Sequence, residues 1–300
     1  MKPINDKRVA YFYEAVKLGS VRAAADKLNV APSAVSRQIS MLEEELGSVL
    51  LERHRKGVAA TEAGEVLLKY HRETVSSQEA CLQKLEALQG LQSGHIKLAV
   101  GEGFVGELMS EALPQFEAKF PELTYSVMLG GSNDVIRKVE QDEAHIGLLF
   151  HPSKHLNIRT QSRVQRPICA VVPPNHPLTQ IRDAVTFESL LDYPIGLQDV
   201  DYGVRQIIGM AEFQQRVRIH PKLTTDSIAV LKQFARSGMG ITLLPEFVVA
   251  REVADGQLVA LPVEHPILKQ GEVHLITRLG RQLSEAPQKL VSHLKRWLDD

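Results

Sequence analysis

Apolar positions in the first ninety residues recur at helical spacing, and beyond them short apolar runs alternate with amphipathic stretches. Residues 5–18 predict a helix with Val9, Phe12, Ala15, Val16 and Leu18 inward, stopped by Gly19. Ser20 is placed to cap a second helix, in which Ala23, Ala24 and Ala25 are strong helix formers with little bulk, and Leu28 closes it before an Asn29-Val30 turn. Pro32 suits the first position of a third helix, where its fixed φ fits and its missing N–H costs nothing. Val35, Ile39, Leu42 and Leu46 give that helix an inward stripe. Its other side carries Ser33, Ser36, Arg37 and Ser40, a small, polar and cationic face of the kind a helix needs in a DNA major groove. After a stop at Gly47, Leu50-Leu51 and Val58-Ala59-Ala60 predict short strands around Glu52 to Gly57. The tip of that hairpin, Arg53-His54-Arg55-Lys56, is basic and suits phosphates or the minor groove.

Thr61 is placed to cap a long helix reaching about Gln89. Leu67, Thr74, Cys81 and Leu88 repeat there every seven residues, with Leu68, Val75, Leu82 and Leu85 alongside. Such a stripe needs a partner, and with no comparably long helix elsewhere it points to a second copy of the chain. Past Ser93-Gly94 the pattern predicts strand His95–Val100, helix Phe104–Phe120, strand Thr124–Leu129, helix Asp134–Glu140 and strand Ile146–Phe150. That βαβαβ order implies a mostly parallel sheet covered on both faces. A second set follows: strand Ile168–Val172, helix Phe187–Leu191, strand Ile195–Leu197, helix Val204–Phe213, strand Val217–Leu223, helix Ile228–Ser237 and strand Ile241–Leu244. Val273–Thr277 and a closing helix Glu285–Leu298 are placed to return to the first set.

Phe12 to Val16, Gly19-Ser20, Ala24-Ala25, Leu28, Val35 to Ile39, Leu42-Glu43 and Leu46-Gly47 fall in one order and spacing, continued by Leu50, Arg53, Thr61 and Ala63-Gly64. In this the chain resembles the winged helix-turn-helix of LysR-type transcriptional regulators. It departs at Leu51, where the family usually has Phe, at Lys56 for Arg and at Ala60 for Leu. The resemblance implies an α/β protein with a winged helix-turn-helix over 1–60, a linker and dimerisation helix over 61–90, and an effector-binding domain over 91–300. That domain would hold two α/β subdomains of the periplasmic-binding-protein type 2 kind, about 91–163 with 268–300, and about 164–267. DNA contacts are expected from Pro32, Ser33, Ser36, Arg37, Gln38, Ser40, Arg53, Arg55 and Lys56. The implied partners are double-stranded promoter DNA, a small-molecule effector, further copies in a homodimer or homotetramer, and RNA polymerase, with no membrane.

Composition changes this picture little. Hydrophobic content of 44% is ordinary for a globular chain, and no stretch approaches a membrane span. The start, MKPINDKRVA, lacks the apolar core of a signal peptide, and Cys81 and Cys169 form no disulfide framework, so a reducing cytoplasm is expected. Net charge is −1, yet residues 1–60 hold ten Lys/Arg against seven Asp/Glu, while the remainder holds 25 against 29. A basic head on an acidic body suits a protein whose first segment alone meets phosphate.

Gly101 to Gly106 matches GxGxxG after a strand, which raises a nicotinamide-dependent oxidoreductase as the rival reading. That site needs an acid closing the second strand, and here Gly130-Gly131-Ser132-Asn133 stands instead, so no cofactor is expected. The glycines fit a close loop at a strand's C-terminal end, where α/β sheets bind ligands. Helix-opening loops supply the other expected effector contacts, giving the set Glu102, Gly103, Phe104, Ser132, Asn133, Asp201, Tyr202, Thr225 and Ser227. Acidity from Glu102 and Asp226 disfavours a simple inorganic anion and favours an amine-bearing or zwitterionic ligand. No HExxH, GxSxG or GK[ST] motif occurs, so no catalytic or metal-binding residues are expected; His151, His155, His176 and His265, in Pro-rich loops, read as surface residues.

Overall fold

In the computed structural model, which describes residues 4–55, 57–88, 94–152, 155–181 and 184–299, the first apolar stripes close a small helical core. α1 (Asp6–Lys17), α2 (Val21–Leu28) and α3 (Pro32–Leu46) bury Val9, Phe12 and Ala15, then Ala24 and Ala25, then Val35, Ile39 and Leu42. The Ser20 hydroxyl accepts from the Ala23 N–H at 3.3 Å, and Asn29 ends α2 at φ 53, a left-handed conformation that Asn tolerates. Leu18 and Leu46, expected inside, are 40% and 37% exposed because each overhangs the end of its helix.

β1 (Leu51–His54) and β2 (Gly57–Ala60) pair antiparallel, from Leu51 opposite Ala60 to His54 opposite Gly57. The strands run further than their apolar residues suggest, so Arg53 lies within a strand rather than at the tip; Lys56 lies outside the described residues. Gly57 has φ 137, and a Cβ on it would lie 2.2 Å from the Gly19 carbonyl oxygen, so only glycine lets the hairpin dock there. On the other side the Glu43 carboxylate accepts from the Leu50 and Leu51 N–H groups at 2.9 and 3.3 Å.

α4 (Glu62–Leu88) starts on Thr61, whose hydroxyl accepts from the Gly64 N–H at 3.0 Å. Leu67 and Leu68, expected in an intermolecular seam, are buried in the core of the helical head. Further along, Val75, Cys81, Leu82 and Leu85 are exposed, and the Leu88 side chain lies outside the described residues. Contacts divide the chain into two units, Met1–Leu82 and Gln83–Asp300.

The second unit holds strands β3 (Gly94–Val100), β4 (Leu123–Leu129), β5 (Ile146–Phe150), β6 (Ile158–Gln165), β7 (Ile168–Val172), β8 (Val185–Thr186), β9 (Ile195–Gln198), β10 (Leu223–Thr225), β11 (Ile241–Pro245), β12 (Val259–Glu264) and β13 (Glu272–Arg278). Its helices are α5 (Val105–Glu107), α6 (Leu113–Glu117), α7 (Ser132–Glu140), α8 (Phe187–Leu190), α9 (Gly203–Gln215), α10 (Ile228–Arg236), α11 (Ala250–Ala254) and α12 (Glu285–Asp299). One sheet has the order β4-β3-β5-β13-β6 and the other β10-β9-β11-β7-β12-β8. The chain leaves the first sheet after Gln165 and returns to it at Glu272, and a continuous apolar cluster packs around both sheets.

Three features differ from expectation. The strand expected from Val217 begins only at Leu223, because the buried Glu212 carboxylate takes the Ile219 N–H at 2.7 Å. The helix expected from Phe104 starts with a 3₁₀ turn at Glu102–Phe104 and passes through a π segment, Leu108–Ala112, between α5 and α6. Pro114 accounts for that segment: it has no N–H, and its ring excludes the carbonyl four residues back, so the turn widens and the Leu113 N–H bonds Leu108 instead. His265, expected on the surface, is 1% exposed and packs on the Phe187 ring.

His145 links β3 to β5: it accepts from the Lys97 N–H at 3.1 Å, and its own N–H donates to the Lys97 carbonyl at 2.8 Å. Burial, reinforced by Arg281, Lys97 and His95, pushes its pKa down to about 3. The unfolded chain therefore takes up a proton near 6.5 that the folded one refuses, and stability present above that pH is lost as pH falls toward 3. His145→Gln should flatten the acid limb of stability by up to ~1.4 kcal/mol per pH unit between pH 6 and pH 4, measured by urea unfolding at each pH against wild type.

Candidate functional site

Two surfaces carry unspent chemistry, one in each unit. On α3, Pro32, Ser33, Arg37 and Ser40 are exposed and Ser36 is half-buried, on the side away from Val35, Ile39 and Leu42. The helix begins at Ala31 without a side-chain cap; Pro32 has no N–H and the Ala34 N–H bonds the Ala31 carbonyl at 2.9 Å, so the Ser33 N–H is the first-turn donor left to meet a phosphate. Gln38, expected on the same face, instead turns to α1, where its amide oxygen accepts from Arg8 Nε at 3.2 Å. Arg8 also pairs with Glu45, fixing that side of α3 as a structural seam. Arg53 and Arg55 are exposed on the hairpin.

The second surface is the cleft between the two sheets. Glu102 follows β3 of one sheet, and its carboxylate crosses to the start of α10 on the other. It accepts from the Ile228 N–H at 2.7 Å, the Ala229 N–H at 3.2 Å and the Ser227 hydroxyl at 3.1 Å. Ser227 sits at the N-cap of α10 yet makes no capping bond of its own, so Glu102 caps this helix from across the cleft.

Ser132, expected in a loop, is the first residue of α7. Its buried hydroxyl donates to the Phe150 carbonyl at 2.8 Å and accepts from the Gly203 N–H at 3.2 Å, which ties β5 to the first turn of α9. A Cβ on Gly203 would lie 1.9 Å from the Phe150 oxygen, so this approach requires glycine.

Between these ties lies a cavity of about 40 Å³, lined by Glu102, Gly103, Phe104, Ser132 and Tyr202 as expected, and by Phe150, Gln198, Val204 and Phe247, which sequence reasoning missed. Asn133 and Asp201 are exposed outside it; Thr225 and Ser227 stand behind Glu102, the Thr225 hydroxyl accepting from the Ser227 N–H at 3.1 Å. Gln198 is 5% exposed at the end of β9, and among the described residues nothing hydrogen-bonds its side-chain amide. Burial first, and then the charges of Asp226, Glu102, Asp199 and Asp201, raise the Tyr202 phenol above its ordinary pKa. Of the GxGxxG glycines, Gly103 serves packing, since a Cβ on it would press on Val248 and Ile228 at 3.0 and 3.2 Å, whereas a Cβ on Gly106 would meet open space. Among the described residues no cluster of His, Cys, Asp and Glu could hold a metal ion, and no helix is long and apolar enough to cross a membrane.

Comparison with known proteins matches both units. The family model described as the LysR substrate binding domain covers residues 89–299, and that of the bacterial regulatory helix-turn-helix protein, lysR family, covers 7–65. The HTH-type transcriptional activator CmpR of Synechocystis is 25% identical over 287 residues, 94% of this chain and 92% of that protein. Full-length OxyR C199D from Pseudomonas aeruginosa shares the fold with a TM-score of 0.69 at 17% identity, over 99% of this chain and 95% of that one. CbnR complexed with its target DNA gives a TM-score of 0.55 at 17% identity, over 98% and 99%.

Ser132→Ala should lower the stability of the second unit by about 1–3 kcal/mol, since it leaves a buried carbonyl and a buried N–H unpaired. Asn133→Ala, on the exposed neighbour, should change it by less than about 0.5 kcal/mol. The urea midpoints of the two variants give the comparison.

Proposed function

Because the chain belongs to the LysR family of bacterial transcriptional regulators, we propose that it binds promoter DNA through the exposed face of α3 and the β1–β2 hairpin. Arg37 reads a base edge from the major groove, with Ser33, Ser36 and Ser40 beside it; Pro32 and the Ser33 N–H meet the backbone. Arg53, Arg55 and Lys56 hold phosphates or the minor groove. Gln38 supports α3 from behind. The observation that carries this reading is the solvent-facing row of small polar residues and one arginine on the helix that follows an Asn-closed turn.

The second unit takes a small-molecule effector in the cleft between its sheets, without catalysing a reaction on it. Support comes from the amide of Gln198, a residue only 5% exposed that lines the cavity beside Tyr202, and from that cavity being bounded by both sheets. A ligand that touches both favours one arrangement of the two, and differential affinity is the only way binding can shift that equilibrium. α4 pairs two copies through Val75, Leu82 and Leu85, exposed apolar residues on a helix of 27 residues. Two such dimers form a tetramer on DNA, which acts on RNA polymerase in the cytoplasm.

Selection of duplexes from a random pool defines the operator, and fluorescence anisotropy then reads the variants. Arg37→Ala should cost roughly 1–3 kcal/mol and relax discrimination at one position, whereas Arg55→Ala should weaken all duplexes alike and flatten the salt dependence by about one unit. Undiminished operator binding by Arg37→Ala would refute the facing of α3. For the helix, Leu82→Lys with Leu85→Lys should shift the sedimentation profile to smaller species, because the charges would be buried in an apolar seam. An unchanged profile places the interface elsewhere.

A further inference from the structure

We propose that Glu102 is a tethered anion: its carboxylate fills, within the chain itself, the anion seat at the start of α10, which holds the two sheets together and shuts carboxylate and phosphate groups out of that position. The inference rests on reading the cleft as the effector site and adds the class of ligand it can take.

Four observations carry it. Glu102 belongs to the first sheet and all three of its donors to the second, so each hydrogen bond spans the cleft. The donors are the N–H groups of the first helical turn and a serine that has given up capping its own helix, which together form an arrangement that favours negative charge. On the Gln198 and Tyr202 side of the carboxylate the free volume is about 40 Å³, room for a water or two, whereas metabolite pockets run to roughly 300 Å³ and more; the larger open depression of about 870 Å³ that also reaches Glu102, Ile228 and Ala229 includes neither Gln198 nor Tyr202. Gln198, 5% exposed and unpaired among the described residues, faces that volume with an amide suited to a ligand's polar group.

A carboxylate- or phosphate-bearing ligand would have to displace Glu102 from donors that already satisfy it. A ligand without an anion at that end needs only to widen the space toward Gln198 and Tyr202. The class that fits is therefore a small neutral or amine-bearing molecule with hydrogen-bonding groups for an amide and a phenol.

The test uses the full chain, the variants Glu102→Ala and Glu102→Gln, and acetate as the probe, with sodium chloride at equal ionic strength as control. Hydrogen exchange of the peptide spanning 224–232 reads the seat. In Glu102→Ala the Ile228 and Ala229 amides should exchange roughly tenfold faster or more, and acetate should restore protection saturably. Wild type should not respond to acetate. Glu102→Gln, which keeps the side-chain volume and an accepting oxygen, should exchange at an intermediate rate and respond weakly.

Unchanged exchange in both variants, or equal protection of wild type and Glu102→Ala by acetate, would overturn the proposal. Should Glu102→Ala fail to fold, Glu102→Gln decides alone: wild-type exchange rates would overturn the proposal, and faster exchange with an acetate response above wild type would support it. Failure of the effector reading looks different. In that case no small molecule alters operator binding by the wild type, while the exchange and acetate results stand as they are.

Discussion

The second unit depends on one contact: the first turn of α9 lies against the end of β5 with no side chain between them. Gly203 makes this possible, and Ser132 locks it by bonding one backbone group from each side. Once the two are this close, Tyr202 and Gln198 are brought to the same small volume as Phe104 and Phe247. Residues nearly a hundred positions apart then share a wall, and a cavity opens in a fold whose sheets are otherwise built independently.

How legible the sequence was depended on whether a residue's chemistry was spent locally. The head could be read because Val35, Ile39 and Leu42 fall on one stripe and Asn29, Pro32 and Gly47 punctuate the helices around them. Most inner strands of the second unit were legible as apolar runs such as Ile146–Phe150 and Ile168–Val172. β6 was not, because it is an edge strand whose charged positions face solvent, and β12 was not, because Pro262 interrupts its run. The seam reading of Leu67 failed because a heptad repeat does not say which partner takes each position; the head took the first turns.

The cleft was harder to read because its polar groups are committed to one another across long sequence distances. Ser132 reads as an ordinary helix opener, yet its hydroxyl is consumed by Phe150 and Gly203. Glu102 reads as free acidity, yet three donors 125 to 127 residues away satisfy it. Gln198 carries no sequence signal, since a glutamine ending a strand is unremarkable until the fold places it in the wall of the cavity. On α3 the converse holds: Ser33, Arg37 and Ser40 have little to bond within the head, so composition and spacing describe them well.

The π segment at Leu108–Ala112 has a consequence for phase. Each π turn takes one residue more than an α turn, and one residue corresponds to about 100° of rotation about the axis. The segment therefore sets the angle between the half of the helix that carries Glu102 and Phe104 to the cleft and the half that carries Leu113 and Phe116 into the core. His293 of α12 anchors the end of that turn through a 2.8 Å bond to the Ala112 carbonyl. Deleting a single residue here would leave the core half in register and swing the other by about a quarter turn, so the cleft is sensitive to chain length at a place that touches no ligand.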